Sequence, residues 1–210
     1  MNKWVWIGGG VAVLIALLAW LFIESSKPLP GEKQGYNCDD YIDFSKLENA
    51  DTSDKCRVHV PVGTEVKYPT NPPTQGPHYA EWVRVGVYEG EKDDRNMVHS
   101  LEHGYVIMSY KCVIASEAKQ SGSEEIASSS STKVGTPRND EECEVRKNQL
   151  AKIYEKKGKK KLIVVPKSNL DTNFALTAWS YLDKFDNFDE DRINKFIDAH
   201  RDMGPEKTMD

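Results

Sequence analysis

No two of the four cysteines form a CxxC pair, so neither a thioredoxin-like redox motif nor a zinc ribbon is spelled out. The HExxH motif of zinc peptidases is missing too. In His99-Ser100-Leu101-Glu102-His103 the glutamate stands beside the second histidine, not the first. Charge of one sign is scarcely in excess: the net charge is −5, with acids and bases interspersed, which argues against a nucleic-acid partner. No internal repeat is visible, and no oxyanion or substrate-binding constellation can be read. Long apolar runs are absent everywhere except at the start of the chain.

That exception is residues 4–23, WVWIGGGVAVLIALLAWLFI, which carry no charge. At 1.5 Å per residue, twenty helical residues span about 30 Å, the thickness of a bilayer's hydrocarbon core. Trp4 and Trp6 at one end and Trp20 at the other suit the two interfaces. The run exceeds the apolar part of a cleavable signal, and neither a small-x-small cleavage site nor a lipid-accepting cysteine follows it. Residues 4–23 therefore read as a transmembrane signal-anchor. Lys3 favours the N-terminus, residues 1–3, on the cytoplasmic side, with the remainder outside the cytoplasm at the cell membrane. Residues 24–35 read as a polar linker, 36–206 as the extracytoplasmic domain and 207–210 as a tail.

Outside the cytoplasm four cysteines imply two disulfides. Cys38 with Cys56 would close a short loop, contributing on the order of 3 kcal/mol. Between Cys112 and Cys143 lies a serine-rich stretch with no apolar period, VIASEAKQSGSEEIASSSSTKVGTPRND, which resembles the translated form of a dispersed bacterial repeat element. Residues 113–140 are thus predicted to be a disordered insert. Discounting them makes Cys112 and Cys143 near neighbours.

Short strands are predicted around Val58-His59-Val60, over 65–68 and 81–88, and through Tyr105–Tyr110 and Lys161–Pro166. Helices are predicted over Glu141–Lys156, over a segment capped by Asp171 or Thr172 that runs through Phe174, Leu176, Trp179, Leu182 and Phe185, and from Asp189 to His200. Five tryptophans and nine tyrosines promise a packed core.

The chemistry gathers in residues 71–110. The turn Asn71-Pro72-Pro73-Thr74-Gln75-Gly76-Pro77 combines fixed and permissive φ angles and holds His78 in one direction. His99 and His103, four apart, point the same way in a helix or a strand. With His78 as third ligand and His59 as fourth, they predict a metal site for copper or zinc. Glu102 would be an outer acceptor orienting a ligand, and Met97 or Met108 could add a thioether that favours copper. A hydrolytic alternative has zinc on the same histidines, Glu102 as general base, and Asn71 and Arg95 as polar helpers. The third alternative is a metal-free structural or interaction domain, with the histidines as hydrogen-bonded core residues.

The motifs NPPTxGPHY and HxLEHGYVIxxY, with ALTAW and GPE further on, resemble those of the DUF3105 family of bacterial domains, which often follow an N-terminal membrane segment. The resemblance runs from about Cys56 to Glu206, apart from the insert, with Gln75 where relatives have serine. It implies a shared fold and a shared histidine site at His59, His78, His99 and His103, and no particular activity. The resulting expectation is an α+β domain, a small mixed β-sheet with C-terminal helices, behind one N-terminal transmembrane helix.

Overall fold

The computed structural model describes residues 14–20, 22, 28–35, 37–47, 51–112 and 137–208. The chain forms two compact units, 1–30 and 31–210. In the first, residues 14–20 are helical with exposed apolar side chains. Among the described residues no helix is long and apolar enough to cross a membrane. Most of the predicted 4–23 anchor lies outside them, as do residues 113–136 of the predicted insert.

The second unit is an α+β domain built on a six-stranded mixed sheet. Its strands are β1 (Glu32–Lys33), β2 (Gly86–Val87), β3 (Val106–Lys111), β4 (Leu162–Lys167), β5 (Phe174–Ala178) and β6 (Tyr181–Phe185), in the spatial order β1-β6-β5-β3-β4-β2. The helices are α1 (Asp94–Glu102), α2 (Pro137–Lys156) and α3 (Glu190–His200). β2, β3 and β4 are mutually parallel where they pair; β5, β6 and β1 continue antiparallel. Parallel β3 and β4 need a crossover, and α2 supplies it.

Both faces of the central strands are covered, which is why they read as unbroken apolar runs. Val106, Met108, Leu162 and Val164 pack with Leu150 and Ile153 of α2 and with Ile193, Phe196 and Ile197 of α3. Ile107, Ile163 and Val165 turn the other way, onto Met97 and Leu101 of α1. The helix bearing His99 therefore packs on the opposite side of the sheet from α2 and α3, together with Val83, Trp82 and Trp179.

Several expectations change. The helix predicted through Phe174 and Phe185 is instead the β5–β6 hairpin. Phe174, Leu176 and Ala178 alternate onto the core, and Phe174 stacks on its cross-strand partner Phe185 at 5.5 Å. Period-two burial and this aromatic pair override helix propensity, and the turn, with Ser180 at φ 63°, carries no Asn-Gly or Asp-Gly signal. The predicted strand over 81–88 shrinks to β2, 65–68 is irregular, and Val58–Val60 forms an isolated bridge only. The predicted linker contributes β1, paired to β6, so the domain reaches back into it. α2 starts at Pro137, inside the stretch predicted to be disordered. Both disulfides pair as predicted, Cys38–Cys56 and Cys112–Cys143.

Candidate metal centre

Three chain segments meet at the centre. The first is the turn ahead of His78, buried throughout residues 72–79. Gly76, at φ +132°, lies so close to the Tyr41 ring that a Cβ would sit 2.6 Å from Cδ2. Its N–H donates to the Cys56 carbonyl at 3.2 Å, and the His78 N–H donates to the Val58 carbonyl at 3.0 Å. The Tyr68 hydroxyl donates to the Pro77 carbonyl at 2.6 Å, and the Ser180 hydroxyl bonds the Gln75 side chain. The turn is held from several sides, as a device for aiming one ring should be.

The second segment is Val58-His59-Val60, joined to His78 by a parallel bridge. Val58 and Val60 are buried against Tyr79, so His59 projects from the opposite side and is exposed. The third is α1, capped by Asp93. It ends in a Schellman motif: Gly104, at φ +80°, donates to Leu101 O at 2.9 Å, and Tyr105 N–H donates to Ser100 O at 3.0 Å. That ending fixes the last turn, which carries His99, Glu102 and His103.

The donor atoms of His59, His78, His99 and Glu102 all lie within 4.8 Å of one another. The three imidazole centroids form a near-equilateral triangle with sides of 5.0, 4.8 and 4.9 Å. His78 Nδ1 lies 2.8 Å from the Gly76 carbonyl and His99 Nδ1 2.7 Å from the Tyr79 carbonyl. A carbonyl only accepts, so each ring donates through Nδ1 and turns Nε2 to the centre. This is how ligand imidazoles are oriented in metal sites.

Around the centre, Nε2 of His78 is 3.0 Å from Glu102 Oε2, and Arg57 Nε donates to Glu102 Oε1 at 2.6 Å. Burial alone would raise the Glu102 carboxyl. The hydrogen bonds from His78 and Arg57 outweigh it and hold the pKa at about 2. Burial, followed by the neighbouring His78, lowers His99 to about 4. The same two causes lower His59.

The structure rearranges the predicted roles. Glu102, expected outside the donor set, is within it. His103 falls outside that set, yet its Nε2 is 3.1 Å from Nε2 of His99. Met108 is buried on the far face of the sheet and Met97 packs among Val83, Leu101 and Ile107, so both thioethers serve the core. Asn71 donates to the Asn169 carbonyl, and Arg95 braces Asp93 and the Thr64 carbonyl beneath the Tyr79 ring. Neither is a site residue.

The sequence reading missed Trp82, Arg57 and Glu206. Trp82 lies 5.3 Å from His99 and 4.7 Å from His103, centroid to centroid, with the Arg84 guanidinium 4.0 Å above its ring. Its segment is clamped to α1 by Ser100, whose hydroxyl accepts from Val83 N–H at 3.0 Å and donates to Val83 O at 2.9 Å. The even spacing of Val83, Val85 and Val87 suggested a strand and concealed the indole's place beside His99 and His103.

Residues 59–210 match the DUF3105 family, described as a protein of unknown function. The chain belongs to the DUF3105 family. The match covers His59, His78, His99, Glu102, His103 and Glu206, and so takes in all four donors of this DUF3105 domain, with Arg57 just ahead of it. No curated protein and no solved structure matches the chain.

Proposed function

We propose that this DUF3105 domain binds one divalent transition-metal ion, zinc or copper(II), through His59, His78, His99 and Glu102, and handles it outside the membrane. The observation that carries the reading is the convergence of four donor atoms within 4.8 Å, two of them Nε2 atoms turned inward by backbone carbonyls. Three imidazoles and a carboxylate suit zinc or copper(II), and without a thioether nothing tilts the set toward copper(I). Bonds of about 2.0–2.1 Å place tetrahedral donors about 3.3 Å apart, so the set must close slightly on the ion. His59, the exposed donor, can make that adjustment without disturbing the core.

Metal holding fits better than hydrolysis. Both Glu102 oxygens are engaged, and a carboxyl at about 2 is a weak general base near neutral pH. The external location is supported by the two disulfides and by the uncharged run at residues 4–23. On this reading the first segment tethers the domain to the bilayer, and nucleic acid is no partner.

The test is metal analysis of the purified full chain after chelation, reloading with zinc or copper(II), and desalting. We expect one equivalent of metal. His59→Ala, which alters an exposed ring, should lower retention sharply, and His99→Ala should abolish it. Trp82→Phe should remove much of the fluorescence quenching caused by copper(II). A wild-type chain that retains neither metal would overturn the proposal.

A further inference from the structure

The donor set opens onto a cavity of about 350 Å³ lined by Asp51, Asp54, Arg57, His59, Glu102 and Glu206. Glu206 comes from the segment after α3, and this C-terminal segment, residues 201–208, is built onto the centre through its backbone. Asp202 N–H donates to Gly104 O at 2.9 Å, and Glu206 N–H donates to Glu102 O at 3.1 Å. The buried Lys161 ammonium donates to the carbonyls of His103 and Thr208, at 2.9 Å each. At Gly204 a Cβ would stand 2.2 Å from Glu102 O and 2.3 Å from Gly104 N. Tail and helix end are therefore in direct backbone contact, which only glycine permits.

None of these ties uses the Glu206 carboxylate. It remains about half exposed, with Oε2 3.7 Å from His103 Nε2. His103 Nε2 is in turn 3.1 Å from His99 Nε2. Donor atoms thus run in an unbroken line from the cavity to the buried centre: Glu206, His103, His99. Asp51 and Asp54 on the cavity wall add negative potential where a cation would arrive.

We propose that Glu206 and His103 form an outer exchange site that receives the cation and passes it inward. The inference rests on the metal reading above and adds that the site exchanges its ion through this pair. The transfer is ligand substitution alone: Glu206 and His103 replace water on the arriving ion, then His99 and the remaining inner donors replace them. No electron moves, and a proton leaves any imidazole that must bind. The ligand class is a divalent cation with affinity for imidazole and carboxylate.

The experiment is stopped-flow mixing of the full chain with aqueous copper(II) at several ionic strengths, followed by tryptophan fluorescence. Glu206→Gln should slow association about tenfold and flatten its dependence on salt. It should leave the number of ions bound and the Tm unchanged, and Glu206→Asp should restore most of the rate. An association rate equal to wild type in Glu206→Gln overturns the inference while leaving the inner site standing. So does a drop in Tm that Glu206→Asp fails to rescue, which would make the side chain structural. Failure of the wild-type chain to bind copper(II) at all would defeat the metal reading, and the inference with it.

Discussion

Nε2 of His78 faces Oε2 of Glu102 at 3.0 Å, while Nδ1 of the same ring already donates to the Gly76 carbonyl. The contact needs a positive species between nitrogen and oxygen. A hydrogen on Nε2 satisfies it, joining the ring to the carboxylate. A metal ion bound by both atoms satisfies it as well. On the metal reading proposed above, hydrogen and ion thus compete for one position.

Arg57 enters the same competition, because it holds Glu102 from the other side. Replacing it by glutamine removes a positive charge beside the ion and frees a carboxylate oxygen. Arg57→Gln should raise metal affinity roughly threefold to tenfold. It should also lower the stability of the metal-free protein, since the buried Glu102 carboxylate then keeps only His78 of its two partners. Glu102→Gln should weaken binding by more than about tenfold. Competition with a chromophoric zinc chelator measures both; equal affinities in the three proteins would count against Glu102 as a ligand.

The pH dependence of the metal-free protein has a definite sign. His99 is lowered from 6.5 to about 4, so between those values the unfolded chain takes up a proton that the folded chain refuses. Its contribution is whole above pH 6.5 and is lost as pH falls toward 4. His59 is lowered as well and acts in the same direction. Glu102, held at about 2, adds a further loss only as pH drops below its ordinary 4.5. Calorimetry should find a lower Tm at pH 5 than at pH 7, with a smaller difference in His99→Gln. Equal differences in the two proteins would remove His99 from this account.

The two disulfides should behave differently. Cys56 is the middle residue of the short 3-10 helix Lys55–Arg57, and its carbonyl accepts from the Gly76 N–H, so Cys38–Cys56 anchors the segment carrying Arg57 and His59. Cys112–Cys143 joins the end of β3 to α2, in the core on the opposite face of the sheet. Replacing either pair by serine should cost about 2–4 kcal/mol. Loss of Cys38–Cys56 should also weaken zinc binding severalfold, and loss of Cys112–Cys143 should not. Equal effects on affinity would show that the first bridge does not position the site.

What could be read from the sequence was local. The Asn71–Pro77 turn declares its rigidity in its residues, and the His99–His103 spacing forces a shared direction in any regular structure. Both disulfides joined cysteines that were neighbours once 113–140 was set aside. The β5–β6 hairpin was misread because its apolar residues fit both periods, and the choice is made by packing on β3 and α3. Arg57 had no signal of its own, since it reaches Glu102 across 45 residues, and Glu206 stood in the GPE motif with nothing to place it near the histidines, because that depends on Gly104 meeting Gly204. Glu102 was legible as a neighbour of the site but not as a donor, because its rank depends on distances that only the folded chain sets.

X-ray absorption at the zinc edge of the zinc-loaded full chain addresses the central claim most directly. The account predicts a four-coordinate shell of nitrogen and oxygen at about 2.0–2.1 Å, with outer-shell scattering from three imidazoles. A shell of six oxygens without imidazole scattering would contradict it.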